Sequence, residues 1–225
     1  MKKMFKIGKV INYYEKIGIT IVKLSAPLSV GDKIKFYKDG ELILYQQIER
    51  IIMNQKNLAQ IAIIGGSGFY DFFSKDAKEI NFKTKFGAPS DKITVGNVCG
   101  KKVAFLPRHG KNHQSPPHKI PYKANIAALK EIGVERIIAP AAVGSLKEKI
   151  RPGDFVICDQ FIDRTKKRDD TFFDGPKIAH LEMAYPFCGE TRKIAFSQAR
   201  KLKLRVHPKG TAAVVEGPRF SNVAE

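Results

Sequence analysis

The run Ile61–Tyr70 (IAIIGGSGFY) constrains this chain more than any other stretch. Its first four residues are apolar and three of them are isoleucine, the signature of a buried strand. Gly65-Gly66-Ser67-Gly68 then breaks the strand at once. A strand running directly into a glycine turn belongs to an α/β layer. There the turn sits at a strand's carboxyl end, and exposed N–H groups can receive an anion. The spacing excludes two familiar phosphate loops. No Gly-Lys-Ser/Thr follows, so this is not a P-loop. The third glycine of a GxGxxG turn would fall at Tyr70 or Asp71, so it is not a dinucleotide fingerprint. By itself the turn fits either an anion cradle or a plain tight turn.

The rest of the chain alternates strand and helix patterns. Val103–Leu106 reads as a strand. Pro121-Tyr122 leads into a helix over Lys123–Ile132, with Ile126, Leu129 and Ile132 on one face and Gly133 as its stop. Arg136–Ala142 and Asp154–Asp159 read as short buried strands. Glu190–Leu204 reads as a second helix with Ile194, Ala195, Ala199 and Leu202 inward, and Gly210–Val215 as a further strand. Such alternation predicts an α/β domain over 61–225.

Residues 1–52 read differently. Ile7–Tyr14 and Ile19–Leu24 are strand candidates, Lys33–Phe36 alternates with period two, and Lys38-Asp39-Gly40 is a tight turn. Leu42, Leu44 and Ile48 continue the pattern. The phrase LSVGDKIKF (Leu28–Phe36) after two strands resembles the small β-barrel second domain of translation elongation factors. A whole barrel would need more strands after Ile51, so a partial barrel segment is expected. Residues 53–60, beginning at Met53, read as a linker.

Composition sets the outer limits. The chain has 225 residues, 43% of them hydrophobic. No apolar run approaches the roughly 18–20 residues of a membrane helix. The basic start MKKMFKIGKV has no apolar stretch behind it, so no signal peptide is expected. Three scattered cysteines (Cys99, Cys158, Cys188) argue against a disulfide framework or a zinc site, and a reducing cytoplasm fits them. The net charge of +18 is spread along the chain. It reads as solvated lysine faces, with nucleic-acid binding by the N-terminal segment as the alternative.

Several residues carry chemistry. Arg108 offers a planar fork for phosphate, and His109 can donate to a phosphate oxygen or take its proton. His113 lies four residues after His109, a metal spacing on a helix. Gly110 and Pro116-Pro117 mark a loop instead, and no glutamate completes an HExxH site, so no metal is expected. Ala141-Ala142-Val143-Gly144-Ser145 follows Ile137–Ala139, and small residues there let a ligand approach the backbone or a loop pack tightly. In Glu216–Ser221 (EGPRFS), Phe220 follows a rigid turn and either holds a purine or packs in a core.

With the glycine turn, the phrases PRHG (Pro107–Gly110), AAVGSL (Ala141–Leu146), DQFIDRT (Asp159–Thr165), PFC (Pro186–Cys188) and EGPRFS follow one another in order. Together they resemble the methylthioadenosine phosphorylase branch of the nucleoside phosphorylases, from Ile61 to the last residue. The resemblance implies a nucleoside phosphorylase-like mixed sheet flanked by helices. It implies phosphorolysis of the N-glycosidic bond of 5′-methylthioadenosine to adenine and 5-methylthioribose 1-phosphate, in cytoplasmic purine and methionine salvage. Inorganic phosphate is then a co-substrate, no cofactor is needed, and the assembly is a homotrimer. Ser67, Arg108, His109, Ala141 and Ala142 match phosphate-binding positions. Phe220 matches the aromatic on the base, and His180 a residue that reaches a neighbouring subunit's substrate. Ser221 stands where the sister branch for 6-oxopurines carries glutamate. The purine-protonating carboxylate is expected beyond Glu225, so the domain reads as incomplete at its C-terminus and the catalytic acid is unassigned. Ala141 departs from the usual threonine or asparagine, a lost contact of about 1 kcal/mol; Pro140 is also unusual. A free-standing relative would begin near Met53, so the junction is either a genuine fusion or an accident of gene prediction. Three other readings stand beside this one: a purine nucleoside phosphorylase acting on adenosine or inosine, a translation-associated RNA-binding module, and a catalytically inactive fragment.

Overall fold

A computed structural model describes residues 6–14, 19–26, 28, 31–48, 58–66, 73, 77–176 and 178–224. Ser67, Gly68, Glu225 and the first part of the expected linker, 53–57, lie outside the described residues. The chain divides into two compact units, Met1–Asn54 and Gln55–Glu225.

The first unit consists of hairpins. Strands β1 (Gly8–Tyr14) and β2 (Ile19–Leu24) pair antiparallel, as do β3 (Lys33–Lys38) and β4 (Glu41–Gln47). Asp39 and Gly40 turn the second hairpin with φ of 50° and 90°, the doubly positive geometry that matches strand twist. Ile34 and Phe36 of β3 are half-buried while Lys33 and Lys35 face water, as period two requires. Among the described residues no ladder joins β2 to β3. Among the described residues of the segment 1–52, the strands pair as two hairpins. A barrel needs neighbouring strands to share ladders around a common interior. Here β4 is exposed along its whole length.

The second unit is built on a mixed five-stranded sheet in the order β6–β7–β8–β5–β9. Its strands are β5 (Ile61–Gly65), β6 (Lys78–Ile80), β7 (Ile93–Val98), β8 (Lys101–Pro107) and β9 (Arg136–Ile138). β8, β5 and β9 run parallel, while β6 and β7 are added antiparallel. Ala62, Ile64, Ile93, Ala104 and Leu106 form the sheet's side of the core. Helix α1 (Tyr122–Glu131) covers them with Ala128 and Leu129, and Ile132 follows at its cap. Burying one such Leu or Ile side chain contributes about 1.5–3 kcal/mol.

The inward face of α1 is Ala124, Asn125, Ala128 and Leu129; of the three apolar residues expected on one face, Leu129 and Ile132 are buried and Ile126 stays 37% exposed. Steps of three residues lag by about 60° each on a 3.6-residue helix, so 126, 129 and 132 spread over about 120°. The helix stops as expected. Gly133, at φ +97°, donates to Lys130 O at 3.1 Å, and Val134 donates to Leu129 O at 3.0 Å. Val134 then packs on the core it has just re-entered.

Helix α2 (Gly189–Lys201) buries only Ala199, and the expected inward Ile194 and Leu202 are 55% and 70% exposed. Its inner face is shared with Arg192, whose guanidinium donates to Cys158 O at 2.8 Å and Pro208 O at 2.7 Å. Strands β10 (Phe155–Val156) and β12 (Val206–His207) pair parallel, as do β11 (Gln160–Asp163) and β13 (Thr211–Val214). β9 ends well short of Ala142 and is exposed rather than buried. Pro140 has no N–H for a ladder, which closes the strand early. The ring of Phe73 lies directly on the backbone of Gly96 in β7, where a Cβ would strike it. No described helix is long and apolar enough to cross a membrane.

Candidate active site

The parallel strands β5, β8 and β9 end along one edge, and Arg108 stands there. Its N–H donates to Gly65 O at 2.9 Å, one rung beyond the β5–β8 ladder. Its guanidinium reaches sideways: Nη1 donates to Pro140 O at 3.4 Å. Nη2 lies 3.7 Å from where a Cβ at Gly66 would sit. Arg108 thus lies between Gly66, after β5, and Pro140, after β9. A Cβ at position 66 would make an ordinary contact with the guanidinium.

His109 is fixed by its neighbours. Its Nδ1 lies 2.9 Å from Ser115 O, and because a carbonyl only accepts, Nδ1 carries the proton. Nε2 of the neutral ring is then an acceptor, and Arg108 Nε points to it at 3.5 Å. The rings of His109 and His113 stack at 5.2 Å and 9°, in a turn rather than on a helix. Among the described residues no cluster of three His, Cys, Asp or Glu is placed to hold a metal.

The support beneath this edge was not found from sequence. Ser90 Oγ donates to Pro107 O at 2.7 Å, and Ser90 N–H donates to the buried Asn125 Oδ1 at 2.7 Å. Asp91 Oδ2 accepts from Lys111 N–H at 2.7 Å. The one available signal was Asn125, a polar residue on the helix's apolar face.

A second cluster adjoins α1. Tyr122 donates its hydroxyl to Pro117 O at 3.2 Å, and the Arg168 guanidinium lies 4.3 Å over its ring. Burial pushes the Tyr122 phenol up, while the charges of Arg168 and Arg108 draw it back. Lys123 pairs with Asp174 at 2.7 Å and Asp169 at 3.4 Å, and lies 5.3 Å over Phe86. Phe86 meets Phe172 edge to face at 5.3 Å. These contacts dock the loop after β11 on the start of α1. Glu216 accepts from Lys166 and Lys167 N–H at 3.3 and 3.2 Å, and a Cβ at Gly217 would lie 3.1 Å from Pro117. The EGPRFS segment therefore leaves β13 against the same cluster.

Of the residues singled out from sequence, the structure brings Arg108 and His109 together at the strand ends. Ala141 and Ala142 follow Pro140, which Arg108 touches, and both are exposed. Phe220 is 93% exposed, and Ser221 and His180 are exposed as well. Among the described residues no hydrogen bond or ring contact links these three to Arg108.

The fold is a mixed sheet in this strand order with Arg108 and Gly66 at its parallel ends. The chain belongs to the phosphorylase superfamily, whose family profile matches residues 60–225. S-methyl-5′-thioadenosine phosphorylase of Thermococcus kodakarensis is 55% identical over 168 residues, covering 75% of this chain and 65% of the relative. The enzyme of that name from Pyrococcus horikoshii is 57% identical over 169 residues, with 75% and 65% covered. Methylthioadenosine phosphorylase from Schistosoma mansoni in complex with adenine superposes with a TM-score of 0.70 at 38% identity, covering 74% of this chain and 68% of that one. The chain thus spans about 65% of the length of the curated relatives it matches.

Proposed function

We propose that this chain serves phosphorolysis of 5′-methylthioadenosine, giving adenine and 5-methylthioribose 1-phosphate. The observation that carries the reading is Arg108, held at the joint end of β5 and β8 beside Gly66 and the Pro140 carbonyl. The names of the relatives at 55% and 57% identity support the substrate.

In this reaction the C1′–N9 bond breaks and its electron pair leaves with the purine, which gains a proton. A phosphate oxygen forms the new bond to C1′. Positive charge builds on the sugar as the bond opens, and a phosphate anion held beneath it both stabilises that charge and attacks. Arg108 binds the phosphate, with His109, Ser67 and the Ala141-Ala142 backbone as its companions. The purine stacks on Phe220, whose open face is free to receive it, and Ser221 leaves room for a 6-amino edge. His180 serves a neighbouring subunit in a homotrimer. Inorganic phosphate is the co-substrate and no organic cofactor is required. The setting is cytoplasmic purine and methionine salvage.

The test is release of adenine from methylthioadenosine with and without phosphate, against hypoxanthine release from inosine. Phosphate-dependent adenine release that outpaces inosine cleavage is expected. Faster inosine cleavage would move the chain to the 6-oxopurine branch, and phosphate-independent cleavage would overturn the reading.

A further inference from the structure

We propose that one face of the hairpin β3–β4 binds single-stranded nucleic acid, with tyrosine rings stacking on bases and the lysines beside them holding phosphates. The site lies in the first unit and does not depend on the phosphorolysis reading of the second.

The register of the hairpin sorts its side chains. Lys33 lies opposite Gln47, Lys35 opposite Tyr45 and Tyr37 opposite Leu42. Residues directly opposite in an antiparallel pair share a face, and so do alternate residues along one strand. Lys33, Lys35, Tyr37 and Tyr45 therefore stand on one face, and Ile34 and Phe36 fall on the other. Ile34 and Phe36 are half-buried, whereas Lys33, Lys35 and Tyr37 are exposed.

The wet face is the one that carries the rings. Tyr37 and Tyr45 are 50% and 54% exposed. A strand's solvent face is ordinarily polar, so two large rings held there are the feature that needs a ligand to explain it. Lys35 Nζ lies 6.0 Å from the centroid of Tyr45, which sets a mobile positive charge beside a flat π-surface. Lys33, Lys35 and Tyr37 recur about 7 Å apart along β3, a regular row for an extended chain to follow.

Charge supplies the second observation. Residues 1–54 hold ten Lys and Arg against five Asp and Glu. Among the described residues no ion pair involves Lys9, Lys23, Lys33 or Lys35. In the hairpin β1–β2, Lys9 stands directly opposite Lys23 and both are exposed. Like charges in that position oppose the pairing of their strands, and a bound polyanion relieves the repulsion.

The two observations together select the ligand. Lysines alone would suit any polyanion. A duplex keeps its base faces inside its own stack, and an acidic polypeptide has no flat group to lay on tyrosine. A single strand offers both a phosphate chain and open base faces, and every base has such a face, so binding needs no sequence preference.

The test is fluorescence polarisation of the 225-residue chain with labelled oligouridylate and oligothymidylate of about 12 nucleotides, at several salt concentrations. Tyr45→Ala is expected to raise Kd about tenfold with the salt dependence unchanged, and Tyr45→Phe to bind like the wild type. The double variant Lys33→Gln/Lys35→Gln should reduce the slope of log K against log salt by about 0.7 for each lysine. That slope decides the matter alone if Tyr45→Ala does not fold. Wild-type affinity in Tyr45→Ala would show that the rings take no part, and this overturns the proposal. Displacement of the oligonucleotide by polyglutamate or by a duplex at equal charge concentration would reduce the face to a bare cationic patch and overturn it too. So would a wild-type chain that binds neither single strand at about 50 mM salt.

Discussion

His207 Nε2 meets Asp154 Oδ2 at 2.9 Å, and this contact latches β12 to the turn that begins β10. Arg205 Nε holds the other carboxylate oxygen at 2.8 Å, and Arg151 N–H adds a bond at 3.0 Å. The His207 hydrogen bond foremost, then the Arg151 N–H and the Arg205 charge, hold the Asp154 carboxyl below the usual carboxylate range against the effect of burial. The folded state therefore binds this proton less readily than the unfolded chain. The resulting stabilisation is complete above the ordinary aspartate value of about 3.9 and is lost as pH falls through the lowered one. Asp154→Asn should lower the urea midpoint at pH 7, and the gap from wild type should close as the solution is acidified below about pH 4. A gap that is constant from pH 7 to pH 3 would show that the latch does not act through this carboxylate.

The ends of the two helices give predictions of opposite sign. α2 closes through Lys203 at φ +57°, with Leu204 N–H on Ala199 O at 3.0 Å, and so repeats with a lysine what Gly133 does for α1. A non-glycine residue in that conformation costs about 1 kcal/mol. Lys203→Gly should stabilise by about 0.5–1 kcal/mol, and Gly133→Ala should destabilise by about 1–2 kcal/mol. Denaturant unfolding of both variants measures this. A loss of stability in Lys203→Gly would mean that the lysine side chain contributes more than its backbone strain costs.

Asn125 is 2% exposed and is the acceptor for Ser90 N–H. Asn125→Ala leaves that donor buried and unpaired, a cost of about 1–3 kcal/mol. Ser90 in turn braces Pro107, the residue before Arg108. The same variant should therefore blunt any response to phosphate. Full stability in Asn125→Ala would show that water replaces the amide at no cost.

Phosphate should raise the melting temperature of the wild-type chain by mass action, by an amount that grows with the logarithm of its concentration above Kd. Arg108→Ala should remove the rise while leaving the phosphate-free melting temperature within a few degrees, because Arg108 is only half-buried. Indifference of the wild type to about 10 mM phosphate would contradict the assignment of this edge as an anion site.

What could be read from sequence followed the range of the forces involved. The β5 strand with its glycine break, Arg108 after a strand, and the Gly133 stop are all decided within a few residues, and the chain displays them in order. The apolar face of α1 was legible at Leu129 and Ile132 but not at Ile126, because residues three apart drift around a helix by about 60° per step. Asn125 escaped because its partner Ser90 is 35 residues away, and no local pattern announces such a pairing. Arg168 on Tyr122 escaped for the same reason. In residues 1–52 each hairpin is a local object and was legible. Whether hairpins join into a barrel depends on pairing between distant strands, which alternation alone does not encode.

Phe73 resting on Gly96 works as a remote mooring. The segment that departs from Gly66, beside the Arg108 guanidinium, is fastened again at Phe73 to the antiparallel wing of the sheet. A single methyl group added at position 96 would meet the Phe73 ring within 3 Å and force it to shift. A residue with no chemistry of its own, on a strand away from the reacting edge, thereby sets where Phe73 can rest.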